Sequence, residues 1–121
     1  MATLLVNTGR AIITNRLNSG GTIPNYVAWG TGAGTTSATD TTLFTEVTPR
    51  TAGTATQVTT STTNDTFQVV GTQTAGTSET ITNAGLFDAS TSGNLFIKGD
   101  FTGIPLNTSD SIQFTFKVQF S

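Results

Sequence analysis

The side chains able to do acid–base chemistry in this sequence are seven carboxylates: Asp40, Glu46, Asp65, Glu79, Asp88, Asp100 and Asp110. With no histidine and no cysteine, the chain cannot assemble a Ser-His-Asp or Cys-His nucleophile, an imidazole or thiolate metal site, or a disulfide framework. A pair of carboxylates suffices to hydrolyse a glycosidic bond. Each of the seven, however, falls in or beside a turn or strand edge, where Asp and Glu are solvated or accept from backbone amides. Calcium would find oxygen ligands but no D-x-D-x-D-G loop. The residue types therefore predict no enzyme, no metal site and no cofactor.

Gly30-Thr31-Gly32-Ala33-Gly34 follows a strand pattern, as a dinucleotide loop does. Yet Thr35 stands where the third glycine of G-x-G-x-x-G belongs, and a Thr/Ser/Gly stretch follows in place of a helix. The expected role is a flexible connection or a subunit contact. Tyr26 and Trp29 lie three residues apart on one strand, so they face opposite sides, one toward the core and the other exposed or interfacial. A carbohydrate-binding platform is the sharper alternative. Five cations (Arg10, Arg16, Arg50, Lys98, Lys117) against seven carboxylates give a net charge of -2, no footprint for a phosphate backbone. Nucleic acid is not an expected partner. Nor is a membrane, because no apolar run approaches bilayer length and Met1 to Asn7 lacks the pattern of a signal peptide. The sequons Asn64-Asp65-Thr66 and Asn107-Thr108-Ser109 mean little without a secretory signal. Synthesis in a cytoplasm is expected.

The elements that must position these residues are predominantly strands. The 121 residues suffice for one modest core. Only 10% are charged, while 29 are Thr and 13 Gly, yet eight Phe set the chain apart from a disordered one. Thr8 to Leu17 shows a helical period with Thr8 as candidate cap, and Asn18-Ser19-Gly20-Gly21 ends it. Asn25 to Gly30 reads as a strand, Thr31 to Thr42 as a loop too long and featureless to persist unless a partner orders it, and 55–60 with 66–71 as a hairpin about Asn64-Asp65. Leu43, Phe44 and Val47 fix neither helix nor strand. Thr77 to Phe87 is a strand interrupted at Gly85, where a bulge or close backbone approach is expected. Leu95 to Phe101 alternates. Ile112, Phe114, Phe116, Val118 and Phe120 then alternate without a break, a half-buried strand with the Phe114, Phe116 and Phe120 face as core. The expected fold is an all-β antiparallel, jelly-roll-like β-sandwich (22–121) with a short N-terminal helix or arm (1–21).

Trp29-Gly30-Thr31-Gly32, Thr39-Asp40-Thr41-Thr42-Leu43, Glu46 and Arg50 resemble the front half of a group of small structural proteins of tailed bacteriophages. Ile81-Thr82-Asn83-Ala84-Gly85-Leu86-Phe87-Asp88, Ser92-Gly93-Asn94-Leu95-Phe96, Phe101-Thr102-Gly103-Ile104-Pro105-Leu106 and Asp110 resemble its back half, so the likeness runs from Leu4 to Phe120. Asn83 departs from the pattern, standing where the group has Glu. Were that Glu to bond a backbone amide or Arg50, Asn would keep the bond and lose the charge.

The resemblance implies a capsid cement, or decoration, protein: a jelly-roll sandwich on the outside of the shell that bridges major capsid proteins as a homodimer or homotrimer. Bound contact area across capsomer boundaries then stabilises the assembled state by mass action. A tail, neck or fibre component with the same fold is the alternative, and a receptor- or glycan-binding module a further one. The expected location is the capsid surface of the virion after synthesis in the host cytoplasm. Expected partner contacts are Arg10, Arg16, Tyr26, Trp29, Thr35, Thr36 and Asp40.

Overall fold

A computed structural model describes residues 3–120. The chain runs β1 (Thr3–Leu5), α1 (Asn7–Leu17), β2 (Tyr26–Gly30), β3 (Glu46–Ala52), β4 (Thr54–Val58), β5 (Thr66–Thr74), β6 (Glu79–Phe87), β7 (Leu95–Leu106) and β8 (Ser111–Gln119). Among the described residues all strand pairs are antiparallel, in a five-stranded sheet ordered β1-β7-β6-β2-β3 and a three-stranded sheet ordered β4-β5-β8. The pairs β1·β7, β2·β6 and β4·β5 are nested along the chain like a long hairpin rolled upon itself, the logic of a jelly roll. The fold is thus the expected all-β sandwich with a short N-terminal helix.

Local chemistry explains the elements. The unbroken alternation of β8 pairs it with β5 from Thr66↔Gln119 to Thr74↔Ser111. The β4-β5 hairpin turns through Asn64, whose φ is 60°, a conformation Asn tolerates better than most residues. Beside it the Asp65 carboxylate accepts from the N–H groups of Thr60, Ser61 and Thr62 at 2.8, 3.1 and 3.0 Å. Helix α1 has no side-chain N-cap; Val6 holds that position, and Thr8 Oγ1 instead donates to the Leu95 carbonyl at 2.6 Å. A Cβ at Gly9 would collide with the Phe96 carbonyl, so glycine is what lets α1 lie this close to β7. The segment expected as an N-terminal arm contributes β1 to the large sheet and buries Val6 and Ile12.

Both faces of the large sheet are covered. On β2, Val27 and Trp29 point between the sheets, where they meet Val69, Leu86, Ile81 and the half-buried Phe114 and Phe116. Trp29 and Phe114 pack edge to face, with centroids 6.4 Å apart. Tyr26 and Ala28 point the other way, into a second apolar layer with Val6, Leu43, Phe87 and Leu95. Gly85 is a site of close approach: a Cβ there would stand 2.6 Å from the Ile97 carbonyl oxygen and 3.0 Å from Leu43 Cδ2. Phe120 does not share the core face of Phe114 and Phe116. The strand ends at Gln119, and the Phe120 side chain is 54% exposed.

Candidate interaction surfaces

Residues 31–45 cross the outer face of the large sheet as a strap and place Leu43 in the second apolar layer, beside Val6. Two side chains of β7 hold it. Lys98 Nζ donates to Asp40 Oδ2 and to the Thr42 carbonyl, both at 2.9 Å, and sits 3.3 Å from the centroid of the Phe44 ring. Asp100 Oδ2 accepts from the Thr36 N–H at 2.9 Å. From β6, Asn83 clamps the backbone of Phe44, accepting its N–H and donating to its carbonyl, each at 3.0 Å. The Asn7 N–H donates to the Ala38 carbonyl at 2.8 Å, tying the strap to α1. The expectation of a loop that needs a partner to order it is therefore corrected. The chain supplies its own anchors, and a buried lysine is the central one.

The carboxylates are largely committed to such local work. Besides Asp40, Asp65 and Asp100, Glu46 receives a two-pronged bond from Arg50 at 2.7 and 3.1 Å, Asp88 accepts from the Asn94 N–H at 2.7 Å, and Asp110 accepts from the Asn107 N–H at 2.8 Å. Glu79 Oε1 is buried with no hydrogen-bond partner. The Lys98 ammonium, and after it the Ser37 N–H, holds the Asp40 carboxyl below its ordinary range. Asp65 is likewise held low, first by the Thr62 and Thr60 N–H groups. Arg50 completes its contacts by stacking on the Phe87 ring at 3.5 Å and donating to the carbonyls of Ala89 and Ser92. Its carboxylate partner is Glu46, whereas Asn83 serves Phe44.

The exposed large apolar side chains among the described residues are Leu17 (81%), Phe120 (54%), Ile23 (46%) and Ile104 (39%). Three of these four, Leu17, Ile23 and Phe120, line one groove of about 360 Å³ together with Ile13, Phe67 and Arg16. It lies where the C-terminal end of α1 and the segment after it meet the end of the three-stranded sheet. Helix α1 carries Arg10 and Arg16 and no acidic residue. Arg16 donates to the Gly21 carbonyl at 3.1 Å, and Arg10 to Asn7 Oδ1 at 3.4 Å.

The residues expected as partner contacts do not form one surface. Arg10 and Arg16 are exposed on α1, and Thr35 is exposed on the strap. Trp29 (2% exposed) and Thr36 (6%) are interior, because the small sheet covers the one and Asp100 draws in the other. Asp40 is half-buried against Lys98, and Tyr26 is half-buried on the opposite face from Trp29, so the two rings build no shared platform. Leu17, Ile23 and Phe120 were not foreseen as a group. In the sequence they read as the end of a helix, a residue between Gly21 and Pro24, and the end of a strand, and only the fold brings them together.

No curated protein and no solved structure matches the chain. Residues 10–118 match the family described as podophage GP4 fiber I protein gp80. The match spans most of the helix, the strap and the strands from β2 through nearly all of β8, and on it the chain belongs to this bacteriophage fibre-protein family.

Proposed function

We propose that this chain is a structural subunit of a phage fibre, that it works by holding its place in the assembled particle, and that it performs no catalysis. The observation that carries this is the family match over residues 10–118. The structure supports a mechanical role in two respects. Both faces of the large sheet are packed, and the long β2–β3 connection is bound down by Lys98, Asp100 and Asn83. A subunit of this kind stabilises the assembly it joins by mass action, because it binds the assembled partners and not the separated ones.

A capsid-decoration role, with the major capsid protein as partner, rests on the resemblance of the motifs in the sequence; the family to which the chain belongs, one of fibre proteins, favours the fibre. Cryo-electron microscopy of purified virions, with copy number from quantitative gels, tests the choice. Density for the sandwich in projecting fibres, at the copy number of those fibres, is the expected result. Density spread over the capsid lattice, at a copy number near that of the shell's main protein, would overturn the fibre assignment in favour of decoration. Absence from the virion would overturn both.

A further inference from the structure

Among the described residues, β1 and β3 end the large sheet and β4 and β8 end the small one. Edge strands invite pairing with other chains, and folded proteins blunt them with short length, proline, bulges or charge. β1 has three residues and β4 five, and the part of β7 that runs on past β1 carries Gly103 and Pro105. β3 carries Pro49 and the Glu46–Arg50 ion pair. β8 keeps only the last of these devices, as a single charge, Lys117. It runs nine residues without glycine or proline, in one unbroken register with β5. The rim of the core beneath it is open as well: Phe114 and Phe116 are half-buried and, with Phe101 and Ile97, line an apolar hollow of about 230 Å³ between β8 and the large sheet.

We propose that the free edge of β8 docks the β8 of a second copy of this chain, in antiparallel pairing about a twofold axis at Thr115. Any strand can take the hydrogen bonds of an edge; the order of side chains along β8 is what points to a second copy. Outward from Thr115 in either direction stand a phenylalanine (Phe114, Phe116), a long polar side chain (Gln113, Lys117) and a β-branched aliphatic one (Ile112, Val118). Pairing about Thr115 therefore sets Phe114 against Phe116, and Ile112 against Val118, of the second copy, the matched cross-strand pairs that stabilise sheets. On the other face Lys117 meets Gln113. A parallel in-register pairing, or an axis at Lys117, would instead set the two ammonium groups side by side. The twofold contact uses the same edge of both copies, so the two small sheets become one and the assembly closes at two chains.

The test follows the purified full-length protein by analytical ultracentrifugation and, because the chain has no cysteine, by cross-linking of single-cysteine variants. The parent should pass from monomer to dimer as its concentration rises. Thr115→Cys lies on the axis, where facing Cα atoms stand about 4.5–5.5 Å apart, a span that a disulfide bridges, so mild oxidation should link it into dimers. Ser111→Cys should stay unlinked, because in this register its two copies lie at opposite ends of the paired strands, about 27 Å apart. Gln113→Glu faces Lys117 of the second copy at both symmetric pairs and should tighten the dimer about fivefold at low salt, and Gln113→Lys should loosen it by about the same factor. Unchanged circular dichroism and Trp29 fluorescence establish that each variant folds. A parent that stays monomeric at every soluble concentration overturns the proposal, as does a Thr115→Cys chain that links no faster than Ser111→Cys. A dimer indifferent to both Gln113 variants is built on another surface and overturns it too. None of these outcomes touches the fibre assignment, which imaging of virions decides.

Discussion

Lys98 and Asp40 are unequal partners, and the inequality makes a measurable prediction. The Lys98 side chain is 1% exposed and that of Asp40 is 22% exposed. Lys98→Met keeps most of the aliphatic stem and removes the ammonium. The Thr42 carbonyl then loses a donor, which costs about 1–3 kcal/mol. The attraction to the Phe44 ring, about 0.5–2 kcal/mol, is lost, and a thioether against the same ring returns about 0.3–1.5 kcal/mol. Asp40 keeps the Ser37 N–H and has water within reach, so losing its ion pair adds at most about 1 kcal/mol. The net loss is about 2–4 kcal/mol. Asp40→Asn is the harsher change, because it leaves a buried ammonium without its counter-charge, at about 3–5 kcal/mol. The double variant should cost less than the sum of the singles by about 1–3 kcal/mol. Urea unfolding followed by the fluorescence of Trp29, the chain's one tryptophan, reads all three. If Asp40→Asn proves milder than Lys98→Met, or the two effects add within about 0.5 kcal/mol, Lys98 does not anchor the strap as described.

Two further expectations concern acid and the edge of the core. Asp40 and Asp65 both titrate below the ordinary carboxyl value of 3.8 in the folded chain, so the unfolded chain binds more protons in acid. Their contribution is complete above that value and is lost as pH falls through the folded values. The melting temperature should stay level from about pH 7 to about pH 5 and drop below that, less steeply in Asp40→Asn; a rise on acidification in calorimetry would contradict the assignment. Phe114→Ala should cost about 3 kcal/mol because the ring packs on Trp29, Phe101 and Phe116, while Phe120→Ala should stay within about 0.5 kcal/mol in chemical denaturation.

Much of the sandwich was legible because its signals are local. The period of β8, the Asn64-Asp65 turn, the close approach at Gly85 and the opposed faces of Tyr26 and Trp29 each follow from a few adjacent residues. What failed needed contacts distant in sequence. Lys98 alternates with apolar neighbours, which reads as a solvated position, and nothing near it shows that Asp40 and Thr42, more than fifty positions earlier, fold over it. β3 carries too few apolar residues to register as a strand, yet β2 fixes it by backbone pairing from Tyr26↔Ala52 to Gly30↔Glu46. The loop from Thr31 to Thr42 looks featureless because its anchors, Asn83, Lys98 and Asp100, belong to other strands. Phe120 was misplaced because periodicity carries no information about where pairing stops. The groove was invisible for the same reason as the strap, since Leu17 and Phe120 stand at opposite ends of the chain.

The nested strand order also bears on how fast the molecule can be made and lost. β1 meets β7 and β2 meets β6 only after the intervening chain has turned back, so little of the large sheet can form from neighbours in sequence. Closing such loops costs entropy before any reward arrives, which places this topology among slow folders. Contacts made late, after the rate-limiting step, mainly slow unfolding. The strap bonds to Lys98, Asp100 and Asn83 can form only once β6 and β7 are in place. A particle component that is never resynthesised after assembly is served by that asymmetry, because its working lifetime is set by the rate of unfolding more than by the depth of the equilibrium.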